Sequence, residues 1–231
     1  MNKLFHRIVE DQNHQKNFLL FNKIPVDIHH DLEPVVDVKS ILNKIENLIP
    51  RAIISDIDSI QVGDFSFLST RNISALYDDE KNTLYVSSIE QDDTVDLLDD
   101  LVHEMAHAVE NSFGDFIYKD GKVEREFLVK RLAMEKSLRA YDYNIEDYDF
   151  MNTNYDSNFD SLLYKEITYD ALRPHTEGLF CSPYGATSLR EYFANSFEEY
   201  YLGDYNYVAK VCPKIFDKIN KLHFAGEEHE N

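Results

Sequence analysis

The stretch "LVHEMAHAVE", residues 101–110, sets His103 and His107 four positions apart with Glu104 between them. On an α-helix that spacing stacks two side chains one turn apart on one face, so both imidazoles can converge on a single cation. Zinc accepts imidazole nitrogen at about 2 Å and, at a catalytic centre, keeps one position open for water. Glu104 is offset from the two rings. It reaches a metal-bound water rather than the metal, which makes it the candidate general base. The competing reading is two solvated or hydrogen-bonded histidines on the polar side of an ordinary helix. The surroundings favour chemistry, because His103 and His107 sit beside Val102 and Ala106 and interrupt a strong apolar stripe. Glu110, one turn beyond His107, either hydrogen-bonds a ligand imidazole or is a solvated helix residue.

A catalytic zinc usually takes three protein ligands. Ala108, Val109 and Glu110 follow His107 and no histidine stands at 113, so the third ligand must come from elsewhere. The segment "SPYGATSLREYFANSFEEYY", residues 182–201, offers Glu191. That residue also fits a capping box with Ser188, in which a glutamate at the third helical position reaches back to the cap amide. A carboxylate cannot serve fully in both roles.

"VHEMAHAVE", "SPYGATSLREYFANSFEEYYLGD" and "PKIFDKINKL" together resemble the catalytic domain of anthrax lethal factor and its relatives, among them the clostridial Pro-Pro endopeptidases. The resemblance covers roughly residues 50–222, with a gap. It implies a zincin-like metallopeptidase of gluzincin type with one catalytic zinc ion (Zn2+) on His103, His107 and Glu191. Glu104 then acts as general base. Tyr184, seven residues before Glu191, faces the metal and donates a hydrogen bond to the oxyanion. The E-Y-F-A-x-x-F spacing is intact from Glu191 to Phe197. The hairpin "ALYDDEKNTLYVS" resembles the family's edge-strand region, so Leu84, Tyr85, Val86 and Ser87 are the expected partners of an extended substrate backbone. Two features depart from the family. Ala106 stands where glycine is often found, and the long interval from His107 to Glu191 makes residues 142–175 look like an insertion.

These residues need a scaffold. "DVKSILNKIENLIP" reads as an amphipathic helix stopped by Pro50, and "SIQVGDF" has strand character. Ile73–Tyr77 and Thr83–Ile89 form a hairpin around a polar turn. Helices are expected over Asp92–Glu110 (capped by Asp93 or Thr94 and stopped near Gly114), Lys122–Tyr141, Ser188–Tyr201 and Tyr207–Leu222. Residues 142–158 read as a loop, with short pieces over 159–182. The order predicts an α+β fold, mostly helical, whose small sheet packs against the helix bearing the histidines. Residues 1–36 form an N-terminal extension, 37–222 the zincin-like domain, and 223–231 a polar tail.

Composition excludes other classes. A formal charge of −20 opposes a nucleic-acid partner, because phosphate backbones demand excess Lys and Arg. Neither a classical leader nor a membrane span is apparent, and the expected location is cytoplasmic or reached by a leaderless route. Cys181 and Cys212 are too few for a disulfide scaffold and read as free thiols, with one bridge between them left open. The expected activity is zinc-dependent hydrolysis of a protein or peptide substrate. The alternative is a zincin-fold binding or structural module without turnover, and a toxin-like effector is a third possibility.

Overall fold

Alternating aliphatic residues build the sheet: Ile24, Val26, Ile60, Val62, Leu84 and Val86 are all buried, as period-two patterning requires. The computed structural model describes residues 16–89, 91 and 93–230, the last two by backbone alone. Its strands are β1 (Lys16–Leu20), β2 (Ile24–Ile28), β3 (Ser59–Gly63), β4 (Ala75–Asp78) and β5 (Thr83–Ser87), in spatial order β1-β2-β3-β5-β4. The outer pairs are antiparallel, while β2–β3 and β3–β5 are parallel. Helix α1 (Val38–Leu48) makes the crossover from β2 to β3, and the short α2 (Ser66–Arg71) lies between β3 and β4. The Asp37 carboxylate caps it by accepting the Ser40 amide at 3.1 Å. Helix dominates the chain beside this five-stranded sheet, so the α+β expectation holds at the level of class.

The hairpin forms as expected, but its flank does not. β5 is bonded to β3 on one side and to β4 on the other. The expected substrate-pairing role of Leu84, Tyr85, Val86 and Ser87 is therefore overturned, since their backbone groups are already used within the sheet. Among the described strands β4 is the edge on this side of the sheet, and β1 the edge on the other.

The chain divides into two compact units, one comprising residues up to 109 together with 225 onward, the other residues 110–224. In the first, β1 and β2 come from the stretch expected to be an extension. Residues 1–15, with the rest of that expectation and any leader, lie outside the described residues, as does Asp92. Helix α3 (Thr94–Tyr118) starts at Asp93, whose carboxylate accepts the amides of Val95 at 2.6 Å and Asp96 at 3.1 Å. Leu98, Leu101, Val102, Met105, Ala106 and Val109 are buried along it. The helix breaks beside Gly114, as expected: Phe113 leaves helical geometry (φ −119°, ψ 17°), and a second helical segment runs on to Tyr118 across the kink. The second segment buries Ile117 completely. The turn comes at Gly121, whose φ of +65° suits glycine.

In the second unit, α4 (Lys122–Ala140) buries Val123, Phe127, Met134 and Leu138. The expected loop at 142–158 is irregular yet anchored. Arg131, 1% exposed, donates from Nη1 to the Asn152 carbonyl at 2.6 Å, and its guanidinium lies 3.9 Å from the Phe159 ring centroid. Ile145 and Phe150 of the same segment are buried. Helix α5 (Ser157–Ser161), capped by Asp156, runs into a π-helical turn at Leu162–Ile167 and then α6 (Tyr169–Thr176). Helix α7 (Leu189–Leu202) follows. The last expected helix is two: α8 (Tyr205–Val211) ends at Cys212 and α9 (Pro213–Glu230) begins at a proline, which lacks the amide that a first turn leaves unbonded. α9 runs into the expected polar tail as far as Glu230, and Asn231 lies outside the described residues.

Arg131→Ala removes a buried cation, its carbonyl bond and its aromatic contacts. It should lower the free energy of unfolding by roughly 2–4 kcal/mol. Urea denaturation measures that loss, and limited proteolysis should show earlier cleavage within residues 142–158.

Candidate metal centre

The i, i+4 pair forms as the helix dictates. His103 is half-buried and His107 is buried, with ring centroids 5.1 Å apart and planes at 83°. Among the described residues one group of His, Cys, Asp or Glu side chains could hold a metal ion: His103, His107 and Glu191. Their ligand atoms lie within 4.8 Å of one another. Two imidazole nitrogens and one carboxylate oxygen form a donor set that suits a divalent transition metal such as zinc.

Glu191 stands in the first turn of α7, where Ser188 is the N-cap. The Ser188 hydroxyl accepts the Glu191 amide at 3.1 Å. The cap is thus made with the backbone of Glu191, while its carboxylate belongs to the metal-competent group.

Glu104 is 7% exposed, and its Oε2 accepts the Tyr77 amide at 2.6 Å. A carboxylate this buried needs such a donor to offset its lost hydration. The donor belongs to edge strand β4 and points to Glu104 rather than across to β5. α3 is thereby attached to the sheet at the residue expected to act as base.

Glu110 is not a solvated residue. It accepts the Tyr118 hydroxyl at 2.5 Å and pairs with Arg190 Nε at 3.1 Å. Burial, then the charge and hydrogen bond of Glu110, hold the Tyr118 phenol well above its ordinary pKa, so it stays a donor. Arg190 immediately precedes Glu191. The ion pair therefore ties the turn after His107 to the start of α7. Sequence reasoning missed Arg190 and Tyr118, whose pairing with Glu110 leaves no periodic trace. It also missed Asp100, one turn before Glu104, which accepts the Gln91 amide at 2.8 Å. Burial raises Asp100 to about 6, with Glu104 adding to the rise and Gln91 and His103 opposing it. Gln91 Oε1 is buried without a hydrogen-bond partner.

Tyr184 lies on a 3₁₀ turn (Pro183–Ala186), half-buried, with its ring edge-on to Tyr169 at 6.3 Å between centroids. No helix among the described residues is long and apolar enough to cross a membrane. No family model, curated protein or solved structure matches the chain.

Glu110→Gln keeps the shape but loses the ion pair with Arg190. Metal affinity should fall about 10–100-fold, read by competition with a chromophoric chelator. In metal-free protein, Asp100 binds its proton more tightly folded than unfolded. Its contribution is present in full below its ordinary 3.8 and is lost as pH rises through about 6. Asp100→Asn should remove that slope and stabilise the metal-free protein at pH 7 by roughly 2–3 kcal/mol, measured by urea denaturation across pH 4–7.

Proposed function

We propose that the chain is a zinc-dependent endopeptidase of zincin-like, gluzincin type. The observation that carries the reading is the grouping of His103, His107 and Glu191, with the buried Glu104 on the same helix turn. The resemblance of "VHEMAHAVE" and "SPYGATSLREYFANSFEEYYLGD" to lethal factor-like peptidases supports it.

Bound zinc would lower the pKa of a ligated water towards about 7 and polarise the substrate carbonyl. Glu104 holds one carboxylate oxygen against the Tyr77 amide. Its other oxygen takes the proton of the attacking water and later delivers it to the departing amine. The Tyr77 bond keeps the carboxylate in one orientation, which avoids an ordering cost during reaction. Tyr184 donates a hydrogen bond to the oxyanion, stabilising charge that develops only near the transition state. Edge strand β4 takes over the substrate-pairing role that β5 cannot perform, aligning an extended peptide through the outward main-chain groups other than the Tyr77 amide, which Glu104 holds. Glu110 and Arg190 fix the approach of α7 to the turn that follows His107.

The test is a zinc-loaded cleavage assay on a peptide library. Glu104→Gln should retain metal and lose at least about 100-fold in kcat/KM. Tyr184→Phe should lower kcat more than it raises KM. Equal cleavage by wild type and Glu104→Gln, or cleavage indifferent to chelator, would falsify this reading. Metal binding without any turnover would point instead to a zincin-fold binding module.

A further inference from the structure

Cys181 and Cys212 are free thiols, 31 positions apart in sequence, with sulfurs 3.7 Å from each other. Cys181 is half-buried in the loop that leads into the Tyr184 turn, whereas Cys212 is fully buried at the end of α8. A disulfide bond is about 2.05 Å long, so side-chain rotation has only a short gap to close.

We propose that Cys181 and Cys212 are an oxidation-sensitive dithiol that closes to an intramolecular disulfide by exchange with a small-molecule disulfide of the glutathione class. Solvent reaches the pair through Cys181. Its thiol, held protonated by the hydrogen bond to Cys212 and by burial, gives up its proton as it attacks one sulfur of oxidised glutathione, and one glutathione leaves as thiolate and takes up a proton. Cys212 then attacks the Cys181 sulfur of the mixed disulfide and expels the second glutathione, which is protonated in turn. The chain loses two electrons and two protons, and one glutathione disulfide becomes two glutathione thiols.

The surroundings suit Cys212 to the second step. In the reduced pair the Cys181 S–H, and after it the Lys130 ammonium, lower the Cys212 pKa against the effect of burial. Once Cys181 carries glutathione its own S–H is gone, but Lys130 remains, held by the Tyr192 hydroxyl and the Val211 carbonyl. Cys181 also lies 3.8 Å from the Ser196 hydroxyl on α7.

Closure would create a ring spanning residues 181–212, which contains Tyr184, Glu191 and the whole of α7. The dithiol does not depend on the metal reading, because every group invoked belongs to the 110–224 unit and none is a proposed ligand.

The full chain is equilibrated in buffers of reduced and oxidised glutathione, alkylated, and weighed intact. Oxidised wild type should lose two hydrogen masses, accept no alkylating agent and retain no glutathione, and dithiothreitol should reverse this. Cys212→Ala should hold one glutathione on Cys181, and Cys181→Ala should hold none. Two alkylatable thiols after oxidation, a glutathione retained on wild type, or a link between two chains would each overturn the proposal. Zinc content measured in the same samples reports on the metal centre separately.

Discussion

A helix that carries ionisable side chains into an apolar interior must find each of them a partner, and α3 is governed by that requirement. An uncompensated buried carboxylate costs several kcal/mol. Asp100 meets the Gln91 amide, Glu104 the Tyr77 amide, and Glu110 the Tyr118 hydroxyl and Arg190 guanidinium. Successive helical residues are rotated by about 100°, so turning α3 by a single position would break all three sets together. The direction in which His103 and His107 point is thus set by the carboxylates around them as much as by the apolar stripe.

The same logic applies to α4 with the sign reversed. Lys130 and Arg131 are adjacent and both buried, and adjacent helical residues face different neighbours. Lys130 reaches the Tyr192 hydroxyl and the Val211 carbonyl, fastening α7 and the end of α8. Tyr192 in turn donates to Glu126 at 2.9 Å, which also accepts the Lys214 amide at the start of α9. Arg131 reaches the Asn152 carbonyl and stacks on Phe159, fastening the excursion at 142–158. One helix therefore steadies both the segment bearing Glu191 and the long irregular stretch that separates it from the histidines.

These contacts give the irregular region its order. Residues 142–158 contain little regular structure, yet Ile145 and Phe150 are buried and Asp156 caps the next helix. The Thr153 carbonyl accepts the Leu189 amide at 2.9 Å, so the excursion also supports the first turn of α7. Its acidic and amide side chains largely cap its own turns, as with Asp149 to Met151 and Asn152 to Asn154.

Much of the architecture was legible because it rests on local periodicity. The i, i+4 histidines, the stripe on α3, the β4–β5 hairpin and the Ser188 cap each depend on residues a few positions apart. The grouping of Glu191 with the histidines was reached only through a resemblance, since nothing in local spacing links residues so distant. Which side of β5 is covered, the pairing of Glu110 with Arg190, the placement of β1 and β2, and the contact of Cys181 with Cys212 were decided by the tertiary structure. A hairpin specifies its two strands but not the third strand that joins them. Charge pairing and sulfur proximity arise when distant segments meet in space, and neither imposes a pattern on the chain between them.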